Sequence, residues 1–220
     1  MNLPEFWDTK VLNGHKHFVG AMSREKVNRL QARVKRHFLD QIGLNNGNSN
    51  DNDKGVVKKV IDWGCGGGLH TKTLSLLFKR VVPIDISQKS LDTCEKYAGV
   101  KGLLLPENVE SFDLRKIRGT NLIWCADVIH HFPSFDYFKC VCKVWNRISP
   151  TWLCLQFKLS DEIKDRDNYY EGQGYLHSLM LPKEKVIEQF PGYEEVYFGT
   201  EKSKFSQIRH GFLVLKRISK

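Results

Sequence analysis

Val56-Val57-Lys58-Lys59-Val60-Ile61-Asp62-Trp63-Gly64-Cys65-Gly66-Gly67-Gly68 is a β-branched run that ends in an acid and opens into a cluster of glycines. Val and Ile in that density call for burial on both faces of a strand. Glycines directly after the strand let the backbone take positive φ and approach a ligand closely. The next stretch, about Leu69 to Phe78, reads as a helix whose free N–H groups point back into the same crevice. Strand, tight turn and helix together place a small-molecule site at the turn. A dinucleotide loop would read G-x-G-x-x-G, whereas Gly64, Gly66 and Gly68 alternate and Leu69 stands in the last glycine's place. No Gly-Lys-Ser/Thr follows, so a Walker loop is excluded as well.

Downstream, Val81-Val82-Pro83-Ile84-Asp85-Ile86-Ser87 is a second short strand ending in an acid, and Lys101 to Leu105 reads as a third. Asn121-Leu122-Ile123-Trp124-Cys125-Ala126-Asp127-Val128-Ile129-His130-His131-Phe132 reads as a fourth strand and its turn. With these segments in this order, the chain resembles the class I S-adenosylmethionine-dependent methyltransferases of the small-molecule type. Their first motif reads acid-x-Gly-x-Gly-x-Gly, which Asp62 to Gly68 matches at every defined position. The resemblance implies S-adenosylmethionine as cofactor and S-adenosylhomocysteine as product. It places Asp62, Gly64, Cys65, Gly66 and Gly68 around the cofactor, with Asp85 on the ribose hydroxyls and Ile86 beside it. Asn108 and Val109 fall at the adenine edge, where many relatives carry Asp-Ala instead, and Cys125 falls at the end of the fourth strand. His131 matches a histidine that follows an apolar pair in this family. The implied fold is α/β: a doubly wound, seven-stranded, mostly parallel Rossmann-like methyltransferase sheet with an antiparallel last strand and an added N-terminal helix.

The 220 residues are 41% hydrophobic, long enough for one sizeable core and short for two. No run approaches the length of a membrane span, and Met1 to Lys10 lacks the basic-then-apolar order of a signal peptide. A cytoplasmic protein with no membrane partner is the expectation. Cys65, Cys94, Cys125, Cys140, Cys142 and Cys154 show neither the paired short spacings of a zinc site nor those of a secreted disulfide scaffold. No metal is expected, and the thiols are read as free and mostly buried. Cys140 and Cys142, two apart on an expected helix, do not share a face.

Residues 1–44 read as an N-terminal helical segment or lid, 45–55 as a flexible Asn-rich linker and 56–220 as the methyltransferase domain, within one globular domain overall. In the first of these, Val27, Leu30, Val34, Phe38 and Ile42 recur at helical spacing over Arg24 to Gln41, with Ser23 as N-cap. Phe135 to Ile148 reads as a helix with Phe138, Val141, Cys142, Val144, Trp145 and Ile148 inward, and Trp152 to Leu159 as a fifth strand. Pro182 suits the first turn of a helix over Lys183 to Phe190. Glu194 to Thr200 and His210 to Ile218 read as closing strands. Ser160 to Leu181, rich in acids and tyrosines, is left as a long loop at the carboxyl end of the fifth strand, where a substrate lid would stand. Phe6, Trp7, His15, His17 and Phe18 either close the other side or pack on the sheet.

For the implied chemistry, the sulfonium methyl is already electrophilic. The protein has to align a nucleophile with it and, for an O or N acceptor, remove a proton. His131 is the candidate base, since a neutral imidazole titrates near working pH; the alternative is that it only orders the turn. His130 is expected to point away. The net charge of +9, with Arg24, Lys26, Arg29, Arg33, Lys35 and Arg36 on one helix face and Lys202, Lys204, Arg209, Lys216, Arg217 and Lys220 near the end, would suit an anionic partner. The Asp/Asn-Pro-Pro-aromatic and Pro-Cys signatures of base methyltransferases are nevertheless missing, and no nucleic-acid module is readable. A small-molecule acceptor with an O, N or C nucleophile leads. RNA or DNA is one alternative and a non-catalytic binding module another, against which the retained Asp62, Gly64, Gly66, Gly68 and Asp85 argue.

Overall fold

The computed structural model describes residues 8, 24–43, 57–165, 179–202 and 208–219. β1 (Lys59–Trp63), β2 (Arg80–Asp85), β3 (Leu103–Leu104), β4 (Leu122–Cys125) and β5 (Trp152–Leu159) run parallel to one another. β6 (Lys164–Asp165) and β7 (Leu179–Met180) form a separate antiparallel ribbon. β8 (Tyr193–Lys202) and β9 (Arg209–Arg217) complete the main seven-stranded sheet, whose order is 3-2-1-4-5-9-8. β9 lies antiparallel to both β5 and β8, so the mostly parallel sheet with an antiparallel last strand is found as expected.

The parallel strands need cover on both faces because their side chains are apolar on both. α1 (Arg24–Val34) and α2 (Leu69–Ser75) lie on one face, and α4 (Phe135–Ile148) and α5 (Lys183–Ile187) on the other, with α3 (Gln88–Ala98) between β2 and β3 in the chain. Strand alternation sorts the core. Ile61, Ile123, Leu153, Leu155 and Phe157 pack with Phe138 and Trp145, while Val60, Trp124, Cys154, Phe212 and Val214 pack with Phe38 and Leu74. α4 starts where the Ser134 hydroxyl accepts the Tyr137 N–H at 3.1 Å, and it drives Phe138, Val141, Cys142, Val144 and Trp145 into the core. Trp145 meets Trp63 edge to face at 5.5 Å between ring centroids.

Several expected bounds shift. The helix after the glycines stops at Ser75, because its last turn tightens through the Leu76 and Leu77 N–H groups onto the Thr73 and Leu74 carbonyls. The N-terminal helix changes at Lys35 into a π-helical segment over Lys35–Leu39 that buries His37, Phe38 and Leu39. The third strand is two residues long. Pro182 sits at the N-cap of α5 rather than in its first turn, with φ −63°. The β6–β7 ribbon was not expected: the loop after β5 is tied at its neck. Ser23, the linker 45–55, the centre of the expected lid and the N-terminal aromatics lie outside the described residues. All six cysteines are free, with Cys142 buried and Cys140 half-buried.

Candidate active site

β1 delivers Asp62 to the carboxyl edge of the sheet almost fully buried. Its Oδ2 accepts the Thr71 hydroxyl at 2.5 Å. Burial pushes the Asp62 carboxyl up to about 7; the Thr71 hydroxyl opposes this and the nearby Asp85 charge adds to it. The chain then turns, with Gly64, Gly66 and Gly68 at φ +73°, +50° and +88°. Each glycine has a different reason to be one. A Cβ on Gly64 would stand 2.5 Å from a Val128 methyl, and one on Gly68 would stand 2.8 Å from Cys94 Sγ. A Cβ on Gly66 would meet nothing within 4 Å, so open space lies over that residue.

The turn is tied to the end of β2. Gly64 and Cys65 donate their N–H groups to the Ile84 carbonyl at 2.8 and 3.0 Å, and Gly66 donates to Asp85 Oδ2 at 2.9 Å. Asp85 Oδ1 accepts the Ser87 N–H at 2.9 Å. Burial raises the Asp85 carboxyl to about 6 against those backbone donors, and the Asp8 carboxylate contributes in the same direction. Asp8 itself accepts the Ser87 hydroxyl at 2.6 Å. Each Asp85 oxygen keeps a lone pair for a further donor. Three carboxylates near one turn favour a ligand that carries positive charge and hydroxyl groups.

The other expected site residues fall as follows. Cys65 is buried against Leu91 and Cys94, and Ile86 is half-buried beside Asp85. The Asn108 side chain caps the following turn by accepting the Glu110 N–H at 3.2 Å. Val109 and Cys125 are buried in the core, so what either offers a ligand is backbone. His131 lies in a 3-10 turn over Ile129–His131, just beyond β4. The expectation that His130 points away is corrected: its ring is 4.1 Å from that of His131 and 6.4 Å from that of His210. That places it beside its neighbour and toward β9.

Sequence reasoning missed a second polar group at the same edge. Asp127, at φ +59°, lies two residues beyond the end of β4. Gln156 on β5 donates to it at 2.5 Å and lies 3.3 Å from His210 Nδ1 on β9. Lys158 stands opposite His210 in the strand register. Burial pulls the Lys158 ammonium down to about 8, which Asp127 opposes, and it pulls His210 down to about 4 with Arg33 adding to the effect. Polar residues on a strand give no linear signal of this kind, because the topology alone brings β4, β5 and β9 together. Thr71 and Cys94 were missed for the same reason.

A family model described as "Methyltransferase domain" matches residues 61–148, the stretch that runs from β1 through α4. Residues 61–148 are therefore similar to a methyltransferase domain. A ubiquinone biosynthesis O-methyltransferase from Rickettsia conorii is 33% identical over 83 residues, which are 36% of this chain and 28% of that protein. The chain spans between 28% and 48% of the length of such curated relatives. In fold, a SAM-dependent methyltransferase from Anabaena variabilis has a TM-score of 0.67 at 19% identity, covering 98% of this chain and 93% of the other. A magnesium protoporphyrin IX methyltransferase from Synechocystis, crystallised with bound SAM, has a TM-score of 0.65 at 14% identity, covering 98% and 95%.

The turn between β1 and α2 has a geometry that fits S-adenosylmethionine. The open space over Gly66 admits a ligand against the backbone, and the Asp85 lone pairs can accept hydroxyl groups. The raised Asp62 and Asp85 carboxyls would be relieved by a cation. Among the described residues no helix is long and apolar enough to cross a membrane. No cluster of three or more His, Cys, Asp or Glu suited to a metal occurs among them either.

Proposed function

We propose that this chain transfers a methyl group from S-adenosylmethionine to a nucleophile of a small-molecule acceptor. The reading is carried by one observation: Asp62, the Gly64–Gly68 turn and Asp85 are joined at one strand edge, with Gly66 bonded to Asp85 at 2.9 Å beneath open space. Asp85 would hold the ribose hydroxyls, and Asp62 would place negative charge near the cationic end. When bound, S-adenosylmethionine supplies an electrophilic methyl whose C–S bond breaks with its electron pair left on sulfur as the acceptor forms its new bond. The turn residues bind and orient, and His131, one turn beyond β4, takes the acceptor proton.

A small acceptor is favoured over a nucleic acid by how the basic helix is used. Arg33 pairs with Glu201 at 2.7 Å and Arg36 pairs with the same carboxylate, so these cations serve internal docking. The O-methyltransferase names of the sequence relatives support the small-molecule class too.

Calorimetric titration with S-adenosylmethionine and S-adenosylhomocysteine tests the reading. Micromolar binding is expected, and Asp85→Ala should weaken it by about 1–3 kcal/mol, the cost of stripping a buried polar contact. Absence of binding to both ligands would overturn it in favour of a non-catalytic module. His131→Ala should lower turnover and leave cofactor affinity unchanged; a matched loss of both would make His131 structural.

A further inference from the structure

Lys158 is 3% exposed, yet among the described residues its ammonium makes no ion pair and donates no hydrogen bond, and the Asp127 carboxylate acts on it only from beyond ion-pair distance. Lysine is almost never buried unless paired, because an uncompensated ammonium loses its hydration. Two residues before it on the same face of β5, Gln156 is fully buried and its Oε1 has no hydrogen-bond partner among the described residues, while its Nε2 is committed to Asp127. That face is the one on which Cys154 and Phe212 pack. Gln156 and Lys158 therefore leave two complementary demands at one place: a lone pair that wants a donor and a cation that wants an anion. The place is the carboxyl edge of β5, adjacent in the sheet to β4, from which the chain runs directly through Asp127 to His131.

We infer that Lys158 selects an acceptor whose nucleophilic atom is an ionisable oxygen, that of a phenol or a carboxylic acid, and holds that oxygen as its anion. The inference rests on the methyl-transfer reading above and names the acceptor class for it. A neutral hydroxyl accepts from Lys158 and can turn its single proton either to Gln156 Oε1, where it is held as the acceptor binds, or to His131, where it is lost. When the proton turns from Gln156 and passes to a neutral His131, which becomes the imidazolium, the charge left on oxygen faces the Lys158 ammonium, so the nucleophile forms where it is stabilised. An amine acceptor does the reverse. Its nitrogen becomes positive as the new bond forms, and Lys158 opposes that charge. The lowered proton affinity of Lys158 comes from its burial and is only partly offset by the Asp127 carboxylate.

The test uses two probes of similar shape, 4-nitrophenol and 4-nitroaniline, added to the full chain saturated with S-adenosylhomocysteine so that no transfer occurs. The phenol is expected to bind at least tenfold more tightly than the aniline. It should arrive as the yellow phenolate at a pH below its own solution pKa. Lys158→Met, an apolar replacement of similar length, should abolish both the preference and the colour while S-adenosylhomocysteine still binds, which certifies the fold; Lys158→Arg should retain them. Equal binding of the two probes, an unchanged Lys158→Met, or no binding of either probe by cofactor-loaded protein would overturn the inference. Failure of S-adenosylhomocysteine itself to bind is a separate readout. It would overturn the methyl-transfer reading and this inference with it.

Discussion

At Asp62 the chain keeps a carboxyl buried with Thr71 as its hydroxyl donor, and burial wins, lifting the group to about 7. The unfolded chain holds the same group near its ordinary value of 3.8. Between those values the folded state keeps a proton that the unfolded state has released, so the contribution of Asp62 to stability is present below pH ~4 and lost as pH rises to ~7. The loss is on the order of 4 kcal/mol for a fully buried group. Urea unfolding at a series of pH values should show the ligand-free protein weakening across that range, with Asp62→Asn flattening the slope; an unflattened slope would place the proton elsewhere. A cationic ligand reverses the effect by favouring the carboxylate. Asp62 was legible in the sequence because it ends a strand and runs into glycines, and Asp85 because it ends the second strand where the resemblance places an acid. Asp127, Gln156, Lys158 and His210 were not, since their meaning depends on which strands lie side by side.

The strand–turn–helix element shows how one short motif can serve packing and binding with different glycines. Gly64 and Gly68 are held by the neighbours a side chain would strike, Val128 and Cys94. Gly66 faces open space, so Gly66→Ala should cost the ligand-free fold only the left-handed strain of about 1–2 kcal/mol. Its affinity for S-adenosylhomocysteine should nevertheless fall tenfold or more, because the methyl would stand where the ligand approaches. Parallel measurements of unfolding and binding check this, and equal losses in both would deny Gly66 a ligand-facing role. The legibility of elements followed their length and pattern. β5 and α4 were found with the bounds read from sequence, the one as a long apolar strand and the other as an amphipathic run with a serine cap. β6, β7 and the π segment were missed because elements of two to five residues carry no period to read.

Across the whole molecule, one carboxylate holds the N-terminal helix to the far rim of the sheet. Glu201 on β8 pairs with Arg33 and with His37, each at 2.7 Å, and with Arg36, while His37 also meets the Tyr197 hydroxyl at 2.8 Å and stacks on Phe212. Glu201→Gln should destabilise the protein by about 1–3 kcal/mol and speed amide hydrogen exchange through Arg24–Leu39. Unchanged exchange there would mean that apolar contacts from Phe38 and Leu39 suffice. The strand order adds a temporal consequence. β8 is synthesised before β9 but hydrogen-bonds to no other strand of the main sheet, so it has no template until β9 has inserted beside β5. The five parallel strands can assemble as the chain emerges, whereas α1, which precedes them, must wait, unanchored by Glu201, until β9 has paired with β8. Newly made chains should therefore gain the turn after β1 early and lock α1 to β8 only once β9 is in place.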